Sequence, residues 1–212
     1  MGWDGDLANR RPLKSRGTAW ASVATRALLA TRITANQVSI AGILISLLGA
    51  WAFVEAPATP WLYLAGALAI QLRLLCNMLD GLVAVEGGRK SAYGPLYNEV
   101  PDRIEDSAFL IAFGYAAGLL WLGLTAALLA AVTAYVRALG GSFGFPQDFR
   151  GPMAKPQRMA ALTLGAIAAL IEALWWGSDW ALVVTLWLVA VGTALTIATR
   201  VLGIARRLKA AS

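Results

Sequence analysis

Six runs of roughly twenty apolar residues, near 37–55, 61–80, 105–120, 122–139, 158–176 and 180–202, leave this chain few ways to fold. A helix rises about 1.5 Å per residue, so each run matches the roughly 30 Å of hydrocarbon in a bilayer. With 58% hydrophobic and 14% charged residues and a mean hydropathy of +0.63, the sequence cannot cover that much apolar surface with its own polar groups. It reads as an all-α integral membrane protein of six transmembrane helices. An N-terminal cytoplasmic, interfacial and amphipathic segment (1–36) precedes the helical domain (37–205), and a basic tail (206–212) follows it. The opening "MGWDGDLANRRPLKSRG" has no apolar core, so the first run is expected to serve as the insertion signal.

Lys and Arg are sorted to one side. Arg10, Arg11, Lys14, Arg16, Arg26 and Arg32 precede the first run, and Arg89, Lys90 and Arg103 flank the loop after the second. Arg150, Lys155 and Arg158 follow the fourth run, while Arg206, Arg207 and Lys209 follow the sixth. The alternate turns, "EAPATP", "GLLWLG" and "WWGSDW", carry neither residue, and Trp61, Trp121, Trp175, Trp176 and Trp180 gather there as an interfacial belt does. Both termini are therefore expected in the cytoplasm, with the chain in the cytoplasmic (inner) membrane. The net charge of +6 follows from this sorting and from attraction to anionic membrane lipids, so no nucleic-acid partner is invoked. Cys76 stands alone, can form no internal disulfide, and reads as a small buried residue.

One stretch breaks the apolar pattern. "NMLDGLVAVEGGRKSAYGPLYNEVPD", from Asn77 to Asp102, holds Asp80, Glu86, Glu99 and Asp102 and runs directly into Arg103, Glu105 and Asp106. Asn77, Asp80, Gly81 and Ala84 share one helical face at the end of the second run. Gly94, Asn98, Asp102 and Asp106 recur every four residues and make a second polar stripe at the start of the third. A turn at Gly87 and Gly88 would bring Asp80 and Asp102 face to face. Oxygen donors beside small residues suit Mg2+ or Mn2+ together with a substrate phosphate, because such cations take a few carboxylates and complete their shells from ligand oxygens. The bland reading is a set of solvated charges at a helix junction. Arg73, one turn before Asn77 in an apolar helix, needs a partner, and Asp80, Asp102 and Asp106 are the candidates.

These residues resemble the signature of the CDP-alcohol phosphatidyltransferase family, D-x2-D-G-x2-A-R followed by a short loop and G-x3-D-x3-D. "NMLDGLVAV" and "GPLYNEVPD" fall in that register, with eight residues between Val85 and Gly94. Five of the eight fixed positions match, at Asp80, Gly81, Ala84, Gly94 and Asp102. Asn77 and Asn98 stand where the family has its first and third aspartates, and Val85 stands where it has arginine. "TRITANQVSIAG" is similar to the family's Thr-Pro-Asn entry, with Ala35 for the proline. "AYVRA" resembles its Tyr-x-Arg-Ala element, and "RGPMAKPQRM" its basic turn.

The resemblance implies a transferase that moves a phosphatidyl group from a CDP-linked lipid such as CDP-diacylglycerol to an alcohol acceptor, releasing CMP. It makes Asp80, Asp102, Asn77 and Asn98 the metal set for Mg2+ or Mn2+, with Asp102 either a ligand or the catalytic base. It implies nucleotide binding at Asn36, Asp80, Gly81 and Ala84, and phosphate or acceptor binding at Arg137, Lys155 and Arg158. An asparagine oxygen still coordinates a cation but brings no charge, so four formal negatives become two. Glu99 and Asp106 are the nearest compensating acids, and Arg89, Lys90 or Arg73 could stand in for the missing arginine. A relative that binds CDP-lipid without turnover is the alternative that Asn77 and Asn98 motivate. A transporter is a third, opposed by the lack of inverted repeats. The acceptor and a homodimer are left open.

Overall fold

The computed structural model describes Thr31, residues 34–86 and residues 94–211; the side chains of 84–86, 94–98 and 211 lie outside the described residues. Among the described residues the chain is all helical. It forms α1 (Ala35–Glu55), α2 (Leu62–Glu86), α3 (Gly94–Ala116), α4 (Leu120–Ser142), α5 (Lys155–Trp175) and α6 (Trp180–Ala211). Five of these, all but α3, are long and apolar enough to cross a membrane. The expected interfacial segment 1–36 lies outside the described residues save for Thr31 and 34–36.

Local chemistry sets the helix ends. Thr34 caps α1 through a reciprocal pair: its hydroxyl accepts from the Gln37 amide at 3.3 Å, and its own amide donates to Gln37 Oε1 at 2.9 Å. Pro156 sits in the first turn of α5, where a missing N–H leaves no bond unmade. The tight turns after α3 and α5 rest on Gly118 (φ 66°) and Gly177 (φ 62°), a backbone region that disfavours any side chain.

Two boundaries differ from expectation. The third helix starts at Gly94, not near 105, because "GPLYNEVPDRIED" is helical although too polar to register as an apolar run. The sixth continues to Ala211, a length of about 48 Å at 1.5 Å per residue, so the described part of the basic tail is the end of α6.

The helices close into a ring. α1 packs on α2 and α3, α3 on α4, α4 on α6, α6 on α5, and α5 on α2. Its interior is apolar along much of its length, with Phe53 meeting Phe113 edge to face at 5.3 Å and Phe109 at 6.3 Å. α3 and α4 approach backbone to backbone, since a Cβ on Gly114 would lie 2.6 Å from the Cα of Gly123. The outer surface is apolar too. Leu48, Leu128 and Leu164 are about two-thirds exposed, and Trp175, Trp176 and Trp180 stand out at one end. Such a surface needs lipid, and the chain is a multi-pass membrane protein.

Candidate active site

The charges meet inside the ring, at the end opposite those tryptophans. Arg73 of α2 is fully buried and reaches three acids of α3. Its Nε donates to Glu105 at 2.5 Å, and its Nη2 lies 3.0 Å from both Asp102 Oδ1 and Asp106 Oδ1. From α5, Lys155 Nζ sits 2.5 Å from Asp102 Oδ2. Arg158, also buried, pairs with Asp106 Oδ2 at 3.2 Å and donates to the Met153 carbonyl at 3.1 Å. Three cations thus neutralise three carboxylates in a low-dielectric interior, where any one left alone would be costly.

Asp80 is arranged differently. It is 5% exposed, its Oδ2 accepts from the Ser39 hydroxyl of α1 at 2.8 Å, and its Oδ1 has no hydrogen-bond partner among the described residues. No Lys or Arg among the described residues pairs with it. Asp80 and Asp102 lie near enough for the charge of one to bear on the other. Asn77 also reaches Asp102, its Nδ2 donating to Oδ1 at 2.6 Å, while Ser39 of α1 donates to Asp80.

The other candidates fall into place around this core. Asn36 is exposed on the first turn of α1, one turn before Ser39 on the same face, and Gly81 is half-buried beside Asp80. Ala84, Val85 and Asn98 are in helical backbone, but their side chains lie outside the described residues. Arg137 pairs with Glu99 at 2.5 Å, donates to Gln147 at 2.8 Å and lies over the Phe149 ring at 5.3 Å. Arg150 is largely exposed and pairs with Asp148 at 2.8 Å, which holds that carboxyl below the usual range. Among the described residues, Glu99 engages Arg103 and Arg137 and stays out of the acid cluster around Arg73.

Three participants went unassigned in the sequence. Glu105 follows Asp102 by three residues, a spacing that places both toward α2. Ser39 gave no signal, since its contact depends on α1 and α2 packing together. Arg200, 3% exposed, donates to the carbonyls of Arg150 at 3.0 Å and Thr133 at 2.8 Å. A lone arginine inside the sixth apolar run was its available signal.

Whether a divalent cation fits can be asked of the donors themselves. Asp80 Oδ1 is a buried anionic oxygen with an open acceptor position, which is what such a cation takes. Asp102 differs, for both its oxygens are engaged: Arg73 and Asn77 on Oδ1, Lys155 and Arg103 (3.3 Å) on Oδ2. Among the described residues no three acid, cysteine or histidine side chains gather as a ready-made metal cage.

The structure is thus a multi-pass helical bundle with buried carboxylates and cations at one end, and comparison with known proteins narrows the class. No family model matches the chain. It is 31% identical over 189 residues to the phosphatidylinositol phosphate synthase of Mycobacterium marinum, covering 82% of this chain and 75% of that one. It is 28% identical over 189 residues to the enzyme of the same name from Mycolicibacterium smegmatis, covering 83% and 79%. Its fold matches crystal structures of Mycobacterium tuberculosis phosphatidylinositol phosphate synthase at 25% identity. The form with manganese and citrate gives a TM-score of 0.72 over 86% of this chain and 87% of that one. The form with CDP-DAG bound gives 0.72 over 88% and 94%. The chain belongs to the family of CDP-alcohol phosphatidyltransferases, enzymes that move a phosphatidyl group from a CDP-linked lipid to an alcohol in phospholipid synthesis.

Proposed function

We propose that this chain performs that transfer in the cytoplasmic membrane, with the Asp80–Asp102 region as its active site and a phosphorylated alcohol of the inositol phosphate class as acceptor. The observation that carries the reading is the open, buried Oδ1 of Asp80 beside an otherwise neutralised cluster. The names of the relatives and the manganese and CDP-DAG held by the solved neighbour support the substrate and cofactor classes.

In this proposal Asp80 holds Mg2+ or Mn2+, with Asn77 and Asn98 able to add amide oxygens. A cation there would neutralise the diphosphate and the charge that grows on departing CMP. Ser39 fixes the Asp80 carboxylate by its hydrogen bond, and Asn36, Gly81 and Ala84 border the nucleotide. Asp102 is the catalytic base: it takes the proton of the acceptor hydroxyl while that oxygen bonds to the lipid phosphorus and the phosphorus–oxygen bond to CMP breaks. Arg103, the longest of its four contacts, is the donor that an incoming hydroxyl displaces. Lys155 pairs with Asp102 and, with Arg137 and the Nε of Arg158, which has no partner among the described residues, draws the anionic acceptor to this end of the bundle.

The topology in this proposal has six spans and cytoplasmic termini. α3 crosses despite its charges because the ring covers the acids that face Arg73 and only Glu99 and Arg103 reach its edge, and the lysines and arginines fall on the side of the site. The test is incubation of purified protein with CDP-diacylglycerol, Mg2+ or Mn2+ and a panel of free and phosphorylated alcohols, with lipid products read by mass spectrometry. A product carrying a phosphorylated alcohol supports the proposal. Exclusive use of an uncharged alcohol refutes the acceptor class.

A further inference from the structure

Arg73 has no place in the signature that carries the resemblance, yet it is the most buried charge of the site and the hub of its ion pairs. A carboxylate offers about four lone-pair positions. Asp102 has filled them with Arg73 and Asn77 on one oxygen and Lys155 and Arg103 on the other. Two of those donors, Arg73 and Lys155, are cations deep in the ring, and a metal ion bound to Asp102 would lie close beside both with little water to screen the repulsion. The same centre has asparagine at two signature positions, so the charge that would attract a second metal is missing where a fixed positive charge is present.

We propose that Arg73 is the resident cation of the Asp102 half of the site and that the chain binds one divalent cation, at Asp80. The proposal rests on the reading of this region as the active site, and Arg73 acts in it as a positioning residue. Its guanidinium binds Asp102, Glu105 and Asp106 together, so the base and the acids behind it are held in place without a metal bridge. Asp80 lies outside that network. It has Ser39 on one oxygen, nothing on the other among the described residues, and no cationic neighbour at ion-pair distance among them.

The experiment counts metal without asking for turnover. Chelator-stripped protein in detergent is titrated with Mn2+, and free Mn2+ is followed by its paramagnetic resonance signal. Wild type is expected to bind one Mn2+ per chain, Asp80→Asn none, and Asp102→Asn still one. The double variant Arg73→Gln/Glu105→Gln removes the hub and its partner together and is expected to admit a second, weaker Mn2+. Two Mn2+ in wild type, none in wild type, loss of the ion in Asp102→Asn, or a double variant that still binds one would each overturn the proposal. A protein that binds one Mn2+ in this pattern and releases no CMP would refute the catalytic reading and leave this one standing.

Discussion

Replacing Asp80 with asparagine should stop turnover and, in metal-free protein, make the chain more stable. The carboxylate is 5% exposed, and one of its oxygens lacks a hydrogen-bond partner among the described residues. A buried polar group left unsatisfied costs about 1–3 kcal/mol, and a charged one more. Asparagine keeps an oxygen for the Ser39 hydroxyl and nearly the same volume, and it removes the charge. The amide Nδ2 then takes the unpartnered place, so only the charge is relieved; for a chain of this size roughly 1 kcal/mol moves the melting temperature by about 2–4 °C, and Asp80→Asn should melt about that much higher than wild type without metal. Adding Mn2+ should reverse the order, because a ligand that binds only the folded wild type raises its stability and leaves the variant where it was. The assay is thermal unfolding in detergent, with and without Mn2+, beside CMP release. A metal-free variant that melts lower than wild type would show that Asp80 is already satisfied and would remove the reason for placing a cation there.

Asp102→Asn should abolish CMP release, since the amide cannot take a proton, while Asp179→Asn at the opposite end of the bundle leaves it unchanged; equal rates in both would remove Asp102 from catalysis. Asn77→Asp exchanges a 2.6 Å hydrogen bond for two carboxylates in contact, so metal-free protein should melt lower and gain more from Mn2+ than wild type does. A melting temperature unchanged by that substitution would show that the contact with Asp102 is unimportant. Arg150 holds Asp148 below its usual range, so the bond contributes above the ordinary Asp value of about 4 and is lost as pH falls through the lowered one. The stability gap between wild type and Asp148→Ala should therefore be constant near neutrality and close in strong acid; a gap that persists there would assign it to packing.

Much of this architecture can be read from hydropathy and register. Five apolar runs became helices that can cross a membrane, and the four-residue spacing of Asp102 and Asp106 put both on the face that meets Arg73. The start of α3 was hidden because hydropathy reports the environment of a segment: residues 94–104 are helical with charges that the ring partly covers. The pairing of acids was harder still. Register within α2 and α3 places Asp80 and Asp102 on facing stripes, but it does not show that Ser39 of α1 holds Asp80 or that Asn77 and Arg73 both reach Asp102. Glu105 and Arg200 followed the same rule, since a buried charge is legible as costly while its partner belongs to another part of the chain.

Metal-dependent release of CMP tests the central claim most directly. Purified wild-type protein, given CDP-diacylglycerol, Mn2+ and a phosphorylated alcohol, should release CMP in step with a new lipid that contains the alcohol, and chelation should stop both. Folded, Mn2+-binding protein that yields neither CMP nor that lipid with any acceptor at any Mg2+ or Mn2+ concentration would contradict the account and make the chain a binder of its lipid.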